Sequence, residues 1–199
     1  RQAQAPSCMR LRRGNRRTSG CCFPLLDISR RIGDRHGESV TQSYVLMAFY
    51  DLGAWDRLLD TASEVLPQIE MLGLRSMSGF IRNLQGMAFY NLGDFSNARQ
   101  KLLESKTDTQ SVGASTILID AALALVTEGE GKEEEALRLY KTALDSSEQD
   151  EEKRTLKFDI GSLLWKLGRA DEALPYLESV RTARLASEFS IDLLKCEVY

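Results

Sequence analysis

Few side chains in this sequence are of the types that usually perform catalysis or hold a metal ion. The only histidine, His36, follows Asp34 and Arg35 between two glycines, a pattern that favours an exposed turn. A single histidine excludes metal sites built from several histidines and allows at most one histidine-dependent triad. The sequence therefore favours a protein that is not an enzyme, and it predicts no metal ion or other cofactor.

The four cysteines also form no recognisable site. Cys21 and Cys22 are adjacent, Cys8 and Cys196 lie elsewhere in the chain, and no two cysteines have the spacing of a zinc site. Adjacent cysteines rarely bridge each other, so we expect no disulfide framework. This pattern fits a reducing compartment, and we expect a cytoplasmic protein.

The acidic runs are weak candidates for chemistry. Residues 129–133 read Gly-Glu-Gly-Lys-Glu and superficially resemble a phosphate loop, but Val126 replaces its leading glycine and Glu133 its magnesium-binding hydroxyl. The neighbouring acidic residues would also repel phosphate. We interpret the runs at 133–135 and 150–152 as solvated helix starts, which the helix dipole favours.

The charges are unevenly distributed along the chain. Residues 1–26 contain six arginines and no acidic residue, whereas the remainder has 20 basic and 29 acidic residues. The acidic body argues against nucleic-acid binding by that part of the chain. No stretch approaches the roughly 18 uncharged apolar residues of a membrane span, so we expect no membrane insertion.

Residues 1–22 form a basic leader without usable periodicity. We expect a disordered arm, or residues upstream of the domain boundary. A transit peptide, which would make the protein organellar, and a nuclear-localisation or nucleic-acid patch are the alternatives.

The elements that position the remaining residues follow a repeat. Residues 47–53 read Met-Ala-Phe-Tyr-Asp-Leu-Gly, and residues 87–93 repeat them 40 positions later with Asn in place of Asp. Weaker copies occur at 131–136 and 168–173. A fixed period of about 20–50 residues indicates a repeat array. The apolar residues recur at helical spacing, so the array is predicted to be all α-helical.

We predict a series of short helices and essentially no strand. The first begins at Phe23 and ends at Gly33 and Gly37, because Pro24 suits a first turn and glycine a helix end. Pro67 should kink or shorten the third helix. The later helices are expected at about 38–51, 55–71, 76–92, 95–103, 115–127, 133–145, 151–167, 170–180 and 183–196, the last as a cap or half-repeat.

Small residues recur at fixed offsets within these helix pairs. In the second repeat Gly86 precedes the turn at Gly93, and Ala98 follows that turn by five residues. The corresponding residues of the third and fourth repeats are Ala124, Gly131 and Ala136, and Gly161, Gly168 and Ala173. This pattern resembles the tetratricopeptide repeat family. The first repeat departs from it, because Leu46 and Leu58 replace the small residues.

The resemblance implies an all-α fold, a right-handed α-solenoid of antiparallel helix pairs. It covers roughly residues 37–182, within a predicted repeat domain at 23–199 that has about four helix pairs plus terminal helices. Helices that cross at about 8–10 Å leave no room for a long side chain, which explains the small residues. The glycine spacings of 40, 38 and 37 exceed the usual 34 and look like the long-helix variety of the family.

The resemblance also implies a groove, lined by the first helix of each pair, that binds a peptide or a partner helix. Tyr and Trp suit such a surface, and asparagine amides could clamp a peptide backbone. Only one implied lining residue is basic, so a ligand with a C-terminal carboxylate is not expected. The principal lining residues are Met47, Tyr50, Asn83, Met87, Tyr90, Asn91, Glu128, Phe158, Trp165 and Lys166, accompanied by Ser43, Asp51, Ala121, Leu125 and Ser162.

Alternatives to this interpretation stay open. Tyr50, Tyr90 and Trp165 could pack between repeats, and Met47 and Met87 could belong to the core. The chain could also be a sensor or regulatory segment of a larger transcription regulator or signalling protein, or could associate with itself through its terminal helices. The favoured hypothesis is a non-catalytic scaffold that binds a protein or peptide partner.

Overall fold

The computed structural model of the chain describes residues 26–181, and within that range it contains helices and turns but no strand. The leader at 1–22, the start of the first predicted helix, the predicted helix at 183–196 and all four cysteines lie outside the described residues. Nine helical segments follow in order: α1 (26–32), α2 (Arg35–Asp51), α3 (Trp55–Met71), α4 (Arg75–Asn91), α5 (Phe95–Ser111), α6 (Ile117–Gly129), α7 (Glu133–Ser146), α8 (Asp150–Lys166) and α9 (170–181).

One glycine-dependent turn joins most of these helices. Gly53 and Gly93 have φ of 65° and 79°, a left-handed conformation that residues with side chains rarely adopt. In the first of these turns the Ala54 N–H donates to the Phe49 carbonyl at 2.9 Å, which satisfies a carbonyl at the helix end. The same left-handed glycine recurs every 20 residues at Gly33, Gly53, Gly73, Gly93 and Gly113. The structural unit is therefore one helix and one turn, and two units make the 40-residue repeat.

The helices form two layers. In the first layer α2, α4, α6 and α8 each contact the next member of the layer. In the second layer α3, α5 and α7 contact helices of the first layer but not one another. Because helices of the first layer lie closer together, the array curves toward that layer. We call the solvent-facing side of α2, α4, α6 and α8 the inner face.

Small residues permit the close helix crossings that the sequence predicts. A Cβ placed on Gly86 of α4 would lie 2.7 Å from Leu102 Cγ and 3.2 Å from the Ala98 carbonyl oxygen of α5. Ala98, Ala136 and Ala173 are completely buried. Their burial is what the repeat frame requires, and the predicted α-solenoid of helix pairs is confirmed.

The apolar core is a row of three clusters along the array. The first joins α2, α3 and α4, the second is built chiefly on α5 and α6, and the third joins α6, α7 and α8 with Ala173 of α9. Each helix thus buries its apolar face against near neighbours in sequence. Stability in such an array is approximately a sum of local terms.

Two predictions about the first half of the array are wrong. Gly37 does not end a helix, because α2 begins at Arg35 and the Asp34 carboxylate caps it by accepting the Gly37 N–H at 2.9 Å. His36 is exposed as expected, but it lies in the first turn of α2. Of the two outcomes predicted for Pro67, shortening does not occur, because α3 runs to Met71 with the proline exposed.

The prediction that the fifth helix ends at residue 103 is also wrong, because α5 runs to Ser111. Its last two turns bury Ser105 and Asp108 instead of apolar residues, so the hydrophobic pattern fades while the helix continues. The Ser105 hydroxyl donates to the Gly79 carbonyl of α4 at 2.7 Å. Polar contacts with α4 therefore continue the packing of α5.

The buried Asp108 carboxylate ties three helices together. It accepts a hydrogen bond of 2.5 Å from Ser78 of α4, and it forms ion pairs with Arg75 at 3.2 Å and with Arg82. Arg82 also forms an ion pair with Glu70 of α3. A buried carboxylate is tolerated when charges and donors surround it, as they do here.

We predict that Arg82→Met destabilises the array because it removes the main cation facing Asp108. The expected loss is about 3 kcal/mol in the free energy of unfolding, measured by urea denaturation. Arg138→Met, at an exposed position of α7, is the matched control and should change stability by less than about 0.5 kcal/mol. Equal effects of the two substitutions would show that the Asp108 network does not stabilise the fold.

Candidate protein-binding surface

The inner face exposes large apolar side chains that a folded monomer would normally bury. Met47, Phe158 and Trp165 are 43%, 54% and 61% exposed. The alternative in which Trp165 packs between repeats therefore does not hold, and Met47 lies outside the core. Exposed aromatic residues grouped on one face are typical of interaction surfaces.

A cavity of about 620 Å³ opens between α2 and α4. Met47, a predicted lining residue, contributes to its wall, as does Ser43. Tyr44 and Phe80 were not predicted as lining residues, although both are exposed and apolar. Both could have been predicted from the sequence, because residues three apart share a helix face. Tyr44 precedes Met47 by three residues, and Phe80 precedes Asn83 by three. The wall consists of His36, Val40, Ser43, Tyr44, Met47, Leu74, Arg75, Ser76, Met77, Phe80 and Val112.

Tyr50 and Tyr90 are half-exposed, and both also pack against other aromatic residues. The Tyr50 ring meets Trp55 edge to face with centroids 5.5 Å apart, and the Tyr90 ring lies 5.9 Å from Phe95. Each pair bridges the glycine turn within one repeat. Both rings also pack against core clusters, so the alternative in which these tyrosines pack within the array holds in part.

Three predicted lining residues come together from three helices. The Lys166 ammonium of α8 pairs with the Glu128 carboxylate of α6 at 2.8 Å, and this hydrogen bond raises the pKa of Lys166. Tyr90 of α4 lies beside them. Its pKa is raised first by burial and then by the charge of Glu128, while Lys166 opposes the shift. The inner face thus contains a charged cluster that spans three repeats.

Two further ionisable residues belong to this cluster. Tyr140 of α7 is only 1% exposed, and burial followed by the charges of Asp159 and Glu128 raises its pKa. Asp159 of α8 is half-buried, and burial followed by the charge of Glu128 raises its pKa to about 6. Tyr140 was not predicted as a lining residue. Asp159 was missed, although it directly follows the predicted lining residue Phe158.

The amide-bearing residues are placed less favourably for a backbone clamp. The Asn91 amide donates to the Met87 carbonyl of its own helix at 2.8 Å. The Asn83 side-chain oxygen is buried and accepts no hydrogen bond from the described residues.

Ala121 is buried, so the prediction that it lines the surface is wrong. Asp51 and Ser162 are exposed, and Leu125 is half-buried.

The prediction that the acidic run at 150–152 is solvated is wrong for Glu152. This residue is buried in the first turn of α8. Its carboxylate accepts hydrogen bonds from Ser115 at 2.8 Å and Ser147 at 2.9 Å, which lie on either side in sequence of α6 and α7. Glu152 therefore anchors the start of α8 to the preceding repeat.

Other kinds of site find little support between residues 26 and 181. No group of three or more His, Cys, Asp and Glu side chains in this range could hold a metal ion. None of its helices combines the length and apolarity needed to cross a membrane. Residues 129–133 span the turn between α6 and α7, where Lys132 pairs with Glu130 at 2.9 Å instead of facing an open phosphate loop.

We predict that Asp159→Asn stabilises the protein at neutral pH. Folding raises the pKa of Asp159 to about 6, above the value of about 3.9 in unfolded chains. The ionised carboxylate therefore lowers the free energy of unfolding above about pH 6, and this cost shrinks as the pH falls and Asp159 becomes protonated. We expect a gain of about 1 kcal/mol at pH 7.5 after solvent screening, which should shrink by more than half at pH 4.5.

Urea denaturation of both proteins at the two pH values measures this difference. Asp145→Asn, at an exposed position of α7, is the control with the same change of charge and should have little effect at either pH. A gain that did not depend on pH would contradict the burial of an ionised Asp159.

Comparison with known proteins supports the repeat frame. Residues 115–194 match the sequence family described as Tetratrico peptide repeat. No curated protein sequence matches the chain. Among solved structures, BtubC (BKLC) from P. vanneervenii matches with a TM-score of 0.63 and 14% identity, over 84% of this chain and 80% of that one.

Two other structures have the same arrangement of helices. A kinesin light chain structure from Podosopora anserina, described as having nearly identical TPR-like repeats, gives a TM-score of 0.58 at 13% identity, over 83% of this chain and 85% of that one. MamA from Desulfovibrio magneticus RS-1 gives 0.55 at 12% identity, over 85% and 97%. At such identities the likeness shows the fold alone. The resemblance is thereby confirmed: residues 115–194 match the tetratricopeptide repeat family, and the chain has the fold of the solved TPR-like structures.

Proposed function

We propose that this protein is a non-catalytic scaffold that binds a peptide or a partner helix along its inner face. The observation that carries the proposal is the exposure of Met47, Phe158 and Trp165 on helices of the first layer. Tetratricopeptide-like folds generally mediate protein–protein interaction, which agrees with this assignment. The compartment proposed for this interaction is the cytoplasm, as the cysteine pattern suggests.

The inner face offers a partner two different kinds of contact. The cavity between α2 and α4 has a volume in the usual range for a binding pocket, and its apolar walls suit large apolar side chains. The charged cluster around Glu128 adds polar contacts on α6 and α8. An amphipathic helix or an extended segment could present apolar and polar side chains to both regions.

Two features favour a protein ligand over a catalytic substrate or a nucleic acid. The only histidine lies on α2, which does not contact the helices that carry Glu128 and Asp159. The charged cluster has two carboxylates and a single cation, Lys166, and that cation is already paired. Such a surface would repel a phosphate backbone.

We predict that peptides selected from a random display library on the full chain bind the inner face. Met47→Ala and Trp165→Ala should each weaken the selected peptides by about tenfold or more, because exposed anchors of this kind carry much of the binding energy. Fluorescence anisotropy with labelled peptides measures the dissociation constants.

Leu103→Ala on α5 and Leu139→Ala on α7 are the matched controls, because both leucines are exposed but belong to the second layer. They should leave the dissociation constants within about twofold of wild type. If the control substitutions weakened the peptides as much as the inner-face substitutions did, the assignment of the binding face would be wrong.

A further inference from the structure

The first two complete helix pairs have matching bounds but different contacts. α2 and α3 begin and end 40 residues before α4 and α5, so each position in the first pair has an equivalent in the second. The near-identical segments 47–53 and 87–93 cover the ends of α2 and α4 and the turns that follow them. Any difference in how the two pairs pack therefore comes from residues outside these segments.

The close crossing of the second pair is absent from the first. Leu46 takes the place of Gly86, and Leu58 takes the place of Ala98. Both leucines are completely buried, and helices with long side chains at their crossing cannot approach each other as closely. α2 and α3 are accordingly packed less closely than α4 and α5.

The ion pairs that tie the second pair together are absent as well. Gln42 of α2 takes the place of Arg82, and Gln68 of α3 takes the place of Asp108. Gln68 is exposed. Gln42 is only 7% exposed, and its side-chain oxygen accepts no hydrogen bond from the described residues. A buried acceptor without a donor destabilises the arrangement that buries it.

The second pair has polar contacts that offset a similar cost of its own. Gln85 of α4 also has a buried side-chain oxygen without a partner among the described residues. There, however, the Asp108 ion pairs and the Ser105 hydrogen bond hold α5 to α4. In the first pair, which lies wholly within the described residues, the side chains of Val65 and Gln68 occupy these positions and form no hydrogen bond with α2.

We propose that α2 is a separately opening wall of the cavity, which parts from α3 and α4 in the native protein while α4 and α5 stay together. Tyr44 and Met47 lie on this adjustable wall, and Phe80 lies on the fixed wall formed by α4. Local opening of this kind requires less free energy than global unfolding. The inference concerns the protein alone, so it stands or falls independently of the proposed function.

Amide hydrogen exchange of the full chain, followed residue by residue by NMR, tests this proposal. Residues 48–50 and 88–90 both read Ala-Phe-Tyr after a methionine, so their amides have the same intrinsic exchange rates. The amides at 48–50 should exchange at least about tenfold faster than those at 88–90. Equal exchange rates in the two segments would overturn the proposal. This comparison needs no substitution, so it does not depend on whether a variant folds.

Gln42→Met tests whether the buried amide causes the opening. Methionine has a similar length but no amide oxygen that needs a donor, so the substitution should slow exchange at 48–50 by about tenfold. Gln110→Met, at an exposed position of α5, is the matched control and should leave that exchange within about twofold of wild type. The proposal is also overturned if Gln42→Met has no effect, or if the control slows exchange equally.

Discussion

The close crossing of α4 and α5 is the contact on which the rest of this structure depends. At Gly86 the backbone of α4 approaches the Ala98 carbonyl and Leu102 of α5 so closely that a methyl group would meet both. Gly161 of α8 similarly approaches Leu177 of α9, where an added Cβ would lie 2.7 Å from the leucine. Close crossings set how each pair packs, and packed pairs bring the first helices of successive repeats side by side. The inner face is a consequence of that spacing.

Much of the fold could be predicted from the sequence because its determinants are local. The near-identical segments at 47–53 and 87–93 reveal the repeat, and glycine turns place most helix ends within a few residues of those observed. The shorter 20-residue unit was missed, although Gly73 and Gly113 occupy the same turn as Gly53 and Gly93. The end of α5 could not be predicted, because its buried face is polar and is recognisable only when Arg82 of α4 stands opposite Asp108.

The candidate site was predictable in outline but not in its chemistry. The family resemblance was enough to predict that Met47, Phe158 and Trp165 line the first helices of their pairs, where all three are exposed. It could not reveal that the charges of Asp159 and Glu128 act on the buried Tyr140 and raise its pKa. That arrangement combines residues from three helices of two repeats, so it depends on how the helices cross. Packing and recognition are not exclusive alternatives for Tyr90. Its ring packs on Phe95, while the charges of Glu128 and Lys166 on the inner face act on its pKa.

Urea denaturation of Gly86→Ala tests the central claim, that a close helix crossing fixes this array, most directly. Alanine is the better helix former by about 1 kcal/mol, so without a close crossing the substitution would stabilise α4. The structure instead predicts a net loss of about 2 kcal/mol, because the new methyl group would meet the Ala98 carbonyl and Leu102. Ser162→Ala, at an exposed helical position of α8, should show no such loss. A Gly86→Ala protein as stable as wild type, or more stable, would contradict the account.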